Sequence, residues 1–382
     1  MTSANAEATS NFDIALGAVS TFPELGAAWL DLESRSDGSF FQSWNWIGTL
    51  IANLPDTVPV EVLSVRHNGT LVGLALLARA ELVRHRIVRA ENLCLNETGF
   101  KNLDVLTPEY NNLLADRRHT ETLPGAVIDW LCRMRADWDE LRLSGVDDKA
   151  AEEYRNIASR VGLTPILRDS KRTYRVDLDA VRASGGDFLE MLSRNTRHQI
   201  RRAIRIYEAD GPLTLARAQT TDEASRFFDE LKELHQTYWE SRDLPGSFAN
   251  PFFEQFHRDL INRCVETGHI MLVRVTSGER PIGYIYNFVD ARTVYQYQSG
   301  FCYDNDPKLK PGLVSHYLAI EHCLESDIGV YDFMAGESQH KKSLGIEGPG
   351  LEWMTLQRNR LKYRIENGLR DVKHRLTAPR AA

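Results

Sequence analysis

The fold is decided by Lys310-Pro311-Gly312-Leu313-Val314-Ser315-His316-Tyr317-Leu318, read with Val330-Tyr331-Asp332-Phe333-Met334-Ala335-Gly336 downstream. Proline fixes φ and lacks the N–H that a first helical turn leaves unused, while glycine lets a partner approach the backbone. Pro311-Gly312 therefore opens an amphipathic helix. The run from Val330 is rich in residues that suit strands and ends in glycine. Upstream, residues 269–275 and 281–288 flank a Gly-bearing turn at 276–280, the pattern of a hairpin. The same order occurs earlier. Residues 60–66, the turn His67-Asn68-Gly69 and residues 70–77 read as a hairpin, Pro124-Gly125 opens a helix, and Glu140-Leu141-Arg142-Leu143-Ser144-Gly145 reads as a strand ending in glycine. Hairpin, Pro-Gly helix, strand and further helix, in that order twice, indicate a duplicated α/β unit.

The junction between the copies falls within 165–220. Residues 174–178 read as a short strand, 183–187 as a turn and 193–207 as a basic helix. Residues 220–243 read as an amphipathic helix with Phe227, Phe228, Leu231, Leu234 and Tyr238 on one face, and a further helix starts at Asn250. The expected organisation is a flexible N-terminus over 1–20, a first domain over 21–180, a second over 181–355, and a basic helix or tail over 356–382.

Across 382 residues, 42% are hydrophobic and 26% charged, which excludes a wholly disordered chain. With 46 Lys+Arg against 53 Asp+Glu the net charge is −7, which argues against a general nucleic-acid coat protein. The five cysteines (Cys94, Cys132, Cys264, Cys302, Cys323) form no C-x-x-C pair, as expected in a reducing compartment and without a thiolate zinc cluster. Residues 1–10 lack the basic and apolar regions of a signal peptide, and no run approaches the roughly 20 apolar residues of a membrane span. The expectation is a cytoplasmic protein with no metal.

Three stretches resemble the GNAT acyltransferases, specifically the double-GNAT branch. That branch includes proteins associated with bacterial cellulose synthesis and the Fem-type transferases of peptidoglycan bridge building. The first stretch is Leu192-Ser193-Arg194-Asn195-Thr196-Arg197-His198-Gln199-Ile200-Arg201-Arg202-Ala203, similar to the basic helix that opens the second half. The second is Tyr297-Gln298-Ser299-Gly300-Phe301 followed by Lys310-Pro311-Gly312. The third is the block from Tyr331 to Gly345, with Gln339-His340-Lys341-Lys342 before its closing glycine. The likeness covers about residues 40–360, most strongly 190–346. It implies an α/β (α+β) fold of two tandem GNAT-like domains, each a mixed, mostly antiparallel sheet flanked by helices. The Arg/Gln-x-x-Gly-x-Gly/Ala pyrophosphate loop of ordinary GNATs is absent.

The resemblance implies direct transfer of an acyl group from acetyl-CoA or another acyl-CoA, used as co-substrate, to an amine on a small molecule, peptide or sugar. Such chemistry needs a diphosphate cradle, oxyanion donors, a deprotonated amine and a proton for the thiolate. The cradle falls on Lys308, Lys310, Pro311, Gly312, Leu313 and Val314, at a helix N-terminus, and the oxyanion donor on the backbone at Gly300, Phe301 and Cys302. The strand at 295–301 would run beside that at 330–334, with splayed ends admitting the thioester. Asp332 and Glu337 are candidates to take the amine proton, with a plain strand-end aspartate and a helix-start glutamate as their ordinary alternatives. His340 stands in the aromatic slot where the family usually has tyrosine, and Lys341 matches the lysine that lies near donor and acceptor phosphates in the Fem-type branch. Arg197 and Arg201 of the basic helix, and His235 and Trp239, are the acceptor candidates; a solvated face and a packed core are the alternatives. Two other functions compete. A Fem-type transferase using aminoacyl-tRNA would draw on the basic helix and tail, but net acidity and the lack of an inserted coiled-coil hairpin speak against it. The other is a catalytically silent subunit of an envelope or polysaccharide pathway.

Overall fold

The structure, a computed structural model, describes residues 12–84 and 88–366. Along the chain run β1 (Phe12–Ala18), α1 (Leu25–Ser34), α2 (Trp44–Asn53), β2 (Val60–His67), β3 (Thr70–Arg84), β4 (Val88–Leu95) and β5 (Leu114–Ala115). Then come α3 (Leu123–Met134), β6 (Glu140–Asp147), α4 (Asp148–Val161), β7 (Leu163–Lys171), β8 (Thr173–Asp177), α5 (Leu178–Ala183), α6 (Phe188–Met191) and α7 (Arg194–Tyr207). They are followed by β9 (Leu213–Arg217), α8 (Thr221–Glu240), α9 (Pro251–Cys264), β10 (Ile270–Ser277), β11 (Arg280–Asp290), β12 (Thr293–Phe301) and α10 (Pro311–Leu324). The last are β13 (Val330–Ala335), α11 (Gln339–Leu344), β14 (Ile346–Glu347) and β15 (Leu351–Arg358).

Two compact units result. The first holds the described residues up to 38, from 55 to 170 and from 352 onward; the second holds 39–54 and 171–351. The first sheet has the order β1-β2-β3-β4-β6-β15-β7, with β5 beside β3, and the second β14-β8-β13-β12-β11-β10-β9. Each is mixed: β4 and β6, and β12 and β13, are parallel, while the hairpins are antiparallel. The repeat extends to an irregularity the sequence does not signal. Both hairpins slip register at the same point, between Val65 and Arg66 in β2 and between Val275 and Thr276 in β10. The β2–β3 turn places Asn68 and Gly69 both at positive φ, as a tight hairpin requires.

In the first unit, Leu63, Val65, Leu93 and Leu141 of the sheet are buried against Val127, Leu131 and Tyr154 of α3 and α4. In the second, Ile285, Val294, Tyr331 and Phe333 pack on Ala319 and Ile320 of α10 and Ile200 of α7. An aromatic cluster completes it: Phe40 stacks on Phe288 at 4.5 Å, and Trp46 meets Phe256 edge-on at 4.7 Å.

Two expectations change. Residues 12–18, expected to be flexible, form a strand paired along its length with β2. The units are not contiguous, since residues 39–54 belong to the second and the final strand to the first. In the tail, Arg358 donates to the Leu131 and Cys132 carbonyls, Lys362 pairs with Asp139 at 2.7 Å, and residues 361–366 are helical. Residues 367–382, with Arg370, Lys373, Arg375 and Arg380, lie outside the described residues.

Candidate active site

In the second unit β12 and β13 are paired through only three rungs, Thr293–Val330, Val294–Tyr331 and Tyr295–Asp332. Beyond them β12 runs on to Phe301 and β13 to Ala335, and the strands part. The cause lies in β13. The buried Asp332 accepts the Met334 N–H at 2.6 Å, and Met334 takes a left-handed φ of 61°. The β13–β8 ladder also loses register between Asp332 and Ala335. A non-glycine residue held there costs about 1–3 kcal/mol, a strain that clusters at functional sites.

The phase of the β11–β12 ladder decides which amides face the gap. Cys302 donates its N–H to the Ile282 carbonyl at 3.0 Å, so that amide is spent and cannot be the oxyanion donor. Alternation along an antiparallel strand turns Gly300 the same way and turns Ser299 and Phe301 towards β13. The Ser299 carbonyl accepts from His235 Nδ1 at 3.4 Å and its N–H donates to Gln298 Oε1 at 3.1 Å. By that alternation Phe301 N–H points away from β11, and of Gly300, Phe301 and Cys302 it is the amide turned to the gap. Gly300 serves packing instead: a Cβ there would lie 2.5 Å from the Leu231 carbonyl oxygen of α8.

At the start of α10, Lys310 is the N-cap residue, Pro311 is the first helical residue, no side chain caps the turn and the first turn holds no acidic residue. The Gly312 and Leu313 amides have no intrahelical acceptor, and a Cβ on Gly312 would sit 3.2 Å from the Phe301 ring. Val314 N–H is spent on the Lys310 carbonyl at 2.9 Å. Lys308 is exposed, and Asp304 and Asp306 in the same loop accept the Asp306 and Lys308 amides. The cradle's positive field thus comes mainly from the helix terminus.

The four proton-transfer candidates separate. Asp332 sits buried at the parting point. His340 lies over β13, partly buried, with Ser338 Oγ 3.2 Å from Nδ1; burial and the Lys341 ammonium hold its pKa down at about 4. Lys341 Nζ donates to the Ala335 and Met334 carbonyls, at 2.6 and 3.3 Å, and so ties off the diverging end of β13. Glu337 is exposed and pairs with Lys342 and, at 3.9 Å, with Arg172; the Lys342 hydrogen bond keeps its carboxyl below the usual range. It is a surface ion pair, away from the burial that would make it a base.

Among the acceptor candidates, Arg197 and Arg201 both bind Glu190, at 2.5 and 3.0 Å. His235 is buried, with Nε2 accepting the Ser247 N–H and Nδ1 on Ser299, so it braces α8 against β12; burial lowers its pKa. Trp239 is half-buried beside His235 and Tyr238, and Tyr238 in turn lies against the exposed Tyr303, tilted by 30° at 5.1 Å, which makes an aromatic ledge next to the gap. A cavity of about 630 Å³ lies on the far side of α11, lined by Arg175, Phe188, Leu192, Thr196, Lys342 and Leu344, and none of the sequence-nominated residues borders it.

The first unit repeats the geometry and then fills it. β4 and β6 also share three rungs, Asn92–Glu140, Leu93–Leu141 and Cys94–Arg142. Beyond them its own loop enters: Asn111 N–H donates to the Gly145 carbonyl, Asn111 Nδ2 to the Leu95 carbonyl, and the Pro108 oxygen lies 2.5 Å from where a Gly145 Cβ would be. The start of α3 is buried. The open gap belongs to the second unit. Among the described residues no three His, Cys, Asp or Glu side chains gather as a metal-binding group, and no helix is long and apolar enough to cross a membrane.

Sequence reading missed His316, which looks like a helix-core residue and has no motif around it. It is fully buried on α10, with its ring between Phe301 of β12 (5.7 Å) and Phe333 of β13 (5.3 Å) and stacked on His340 at 4.9 Å and 10°.

Comparisons with known proteins agree with this fold. Residues 194–342 match the model of the acetyltransferase (GNAT) domain. The crystal structure of FemX is similar over 90% of this chain and 97% of that one, with 12% identity and a TM-score of 0.57. L-PGS from Bacillus licheniformis is similar over 90% and 95%, with 11% identity and a TM-score of 0.51. A putative lysylphosphatidylglycerol synthetase C-terminal domain from Agrobacterium fabrum is similar over 91% and 95%, with 11% identity and a TM-score of 0.50. No curated protein sequence matches the chain. The chain thus has the tandem GNAT-like fold, and residues 194–342, in its second unit, match the acetyltransferase (GNAT) domain.

Proposed function

We propose that the protein is an N-acyltransferase that binds an acyl-CoA in its second unit and passes the acyl group to an amine by direct attack. The observation that carries this reading is the parting of β12 and β13 beyond Tyr295–Asp332, with the Phe301 amide turned into the opening. The residues present suit a CoA ester. The acid-free start of α10 offers the Gly312 and Leu313 amides to a diphosphate, and the bound thioester supplies the activated acyl carbon. Phe301 N–H would stabilise negative charge developing on the carbonyl oxygen, a donor type worth about 3–4 kcal/mol in the transition state. Of the residues nominated from the sequence, Asp332 at the parting point and His340 over β13 are the titratable groups on these elements. The ledge of Trp239, Tyr238 and Tyr303 suits an acceptor that presents an apolar or sugar face beside its amine.

The second reading is an aminoacyl-tRNA-dependent transferase of the Fem type, favoured by the likeness to FemX along nearly the whole chain. Thermal-shift titration separates the two. Stabilisation by CoA and acetyl-CoA, at concentrations a hundred times Kd, corresponds to about 2.7 kcal/mol. Stabilisation by charged tRNA alone would replace the first reading with the second, and by neither would leave a non-catalytic binding role.

A further inference from the structure

His316 has one ring nitrogen partnered and one left over. The Tyr331 hydroxyl lies 3.5 Å from Asn287 Oδ1, which can only accept, and 3.2 Å from His316 Nδ1; with the hydroxyl assigned as donor to Asn287 it accepts from His316, and the proton is assigned to Nδ1. Nε2 is then a bare lone pair. It is buried and has no partner among the described residues. A buried acceptor without a donor costs about 1–3 kcal/mol, and a fold keeps one where something else supplies the donor. The ring sits between one aromatic from each parting strand, Phe301 and Phe333, and under His340.

We propose that His316 Nε2 is the acceptor for the sulfur end of the donor, and the station through which the reaction's proton passes. This rests on the acyl-CoA reading above. The amine nitrogen adds to the thioester carbon and the C–S bond breaks, its electron pair leaving on sulfur. The proton lost by nitrogen passes to Nε2 and from there to the thiolate, so that amide and thiol are formed and the imidazole ends neutral. The groups facing His316 suit a neutral resting ring: Tyr331 from β13, backed by Asn287 of β11, and His340 and Lys341 from α11, the last two disfavouring a charge on it. His340 keeps the stacked position over the ring, a positioning role where the family usually has a tyrosine.

The test is imidazole ¹⁵N NMR of the full chain, with CoA and with desulfo-CoA, which lacks the thiol. The expected result is that CoA shifts the His316 Nε2 resonance upfield from its unprotonated position and desulfo-CoA does not, and that CoA binds roughly two- to tenfold tighter, the worth of one hydrogen bond. His316→Asn, which keeps the Tyr331 contact but offers nothing at Nε2, should bring that ratio to one; His316→Gln, which restores an acceptor there, should recover it. If CoA moves other resonances and leaves Nε2 unchanged, the proposal is overturned while the donor reading stands. If CoA moves nothing, both fall together.

Discussion

Asp332 faces Tyr295 on the last rung that β12 and β13 share, and its Oδ1 then takes the Met334 amide two residues on. One side chain thus ends the ladder and turns the strand. Asp332→Ala is expected to lower the unfolding free energy by about 1–3 kcal/mol through the buried donor it leaves. Asp332→Asn, which keeps an oxygen acceptor, should lose less than about 1 kcal/mol. Urea denaturation measures both, and equal losses would show that Met334 is held by another contact.

Gly312→Asp places a carboxylate in the first turn of α10, where helix polarity favours it by about 0.3–1 kcal/mol and where a diphosphate would be repelled. Melting temperature should therefore hold within a few degrees while CoA affinity falls tenfold or more, as read by calorimetry. Gly312→Ala is the steric control, because the same Cβ meets the Phe301 ring. Unchanged affinity in Gly312→Asp would move the donor site elsewhere.

Burial keeps histidines of the second unit neutral, among them His257 at about 3 and His340 at about 4, with His316 also well below its ordinary value. Their folded pKa values lie below the unfolded value of 6.5, so the unfolded chain takes up protons that the native one refuses. Stability should be full above pH 6.5 and fall as pH drops towards 4, by about 3 kcal/mol for His340 and by more for His257. His340→Gln should flatten part of that slope in denaturant midpoints measured against pH, and a slope unchanged in this variant would remove His340 from the account.

Lys341 and Glu337 lie four positions apart in sequence and differ in role. Lys341→Met removes the hydrogen bonds to the Met334 and Ala335 carbonyls and is expected to cost about 1–3 kcal/mol. Glu337→Gln removes an exposed ion pair worth about 0–1 kcal/mol and should leave turnover within about twofold. A large loss of turnover in Glu337→Gln, with stability intact, would restore it as a base.

Local patterns made much of this fold legible. Turn residues and apolar periodicity marked both hairpins, both Pro-Gly helices and the strands that follow them, since each depends on neighbours in sequence. The partners of residues 39–54 and of β15 were not legible, because they are chosen by long-range packing: Trp46 against Phe256, and β15 between β6 and β7. The site divides the same way. Pro311-Gly312 marked the helix mouth, but the facing of β12's amides depends on a slip opposite Tyr286 and Asn287, where Tyr297 is the extra residue. No residue type announces that slip, so Cys302 and Phe301 looked equivalent. His316 stayed hidden for a similar reason: its unpartnered nitrogen exists only once Tyr331 and Asn287 have come together.

The place of β15 has a consequence for how the protein is made. Its eight residues, 351–358, are a central strand of the first unit's sheet, yet they leave the ribosome after the whole second unit. The usual order, in which an N-terminal domain matures during synthesis, is closed to this chain. Until that strand arrives, β6 and β7 must wait with open edges, which are templates for mispairing. Chains truncated before residue 351 should accordingly aggregate through their first unit, although every residue missing from them belongs, in sequence, to the other end.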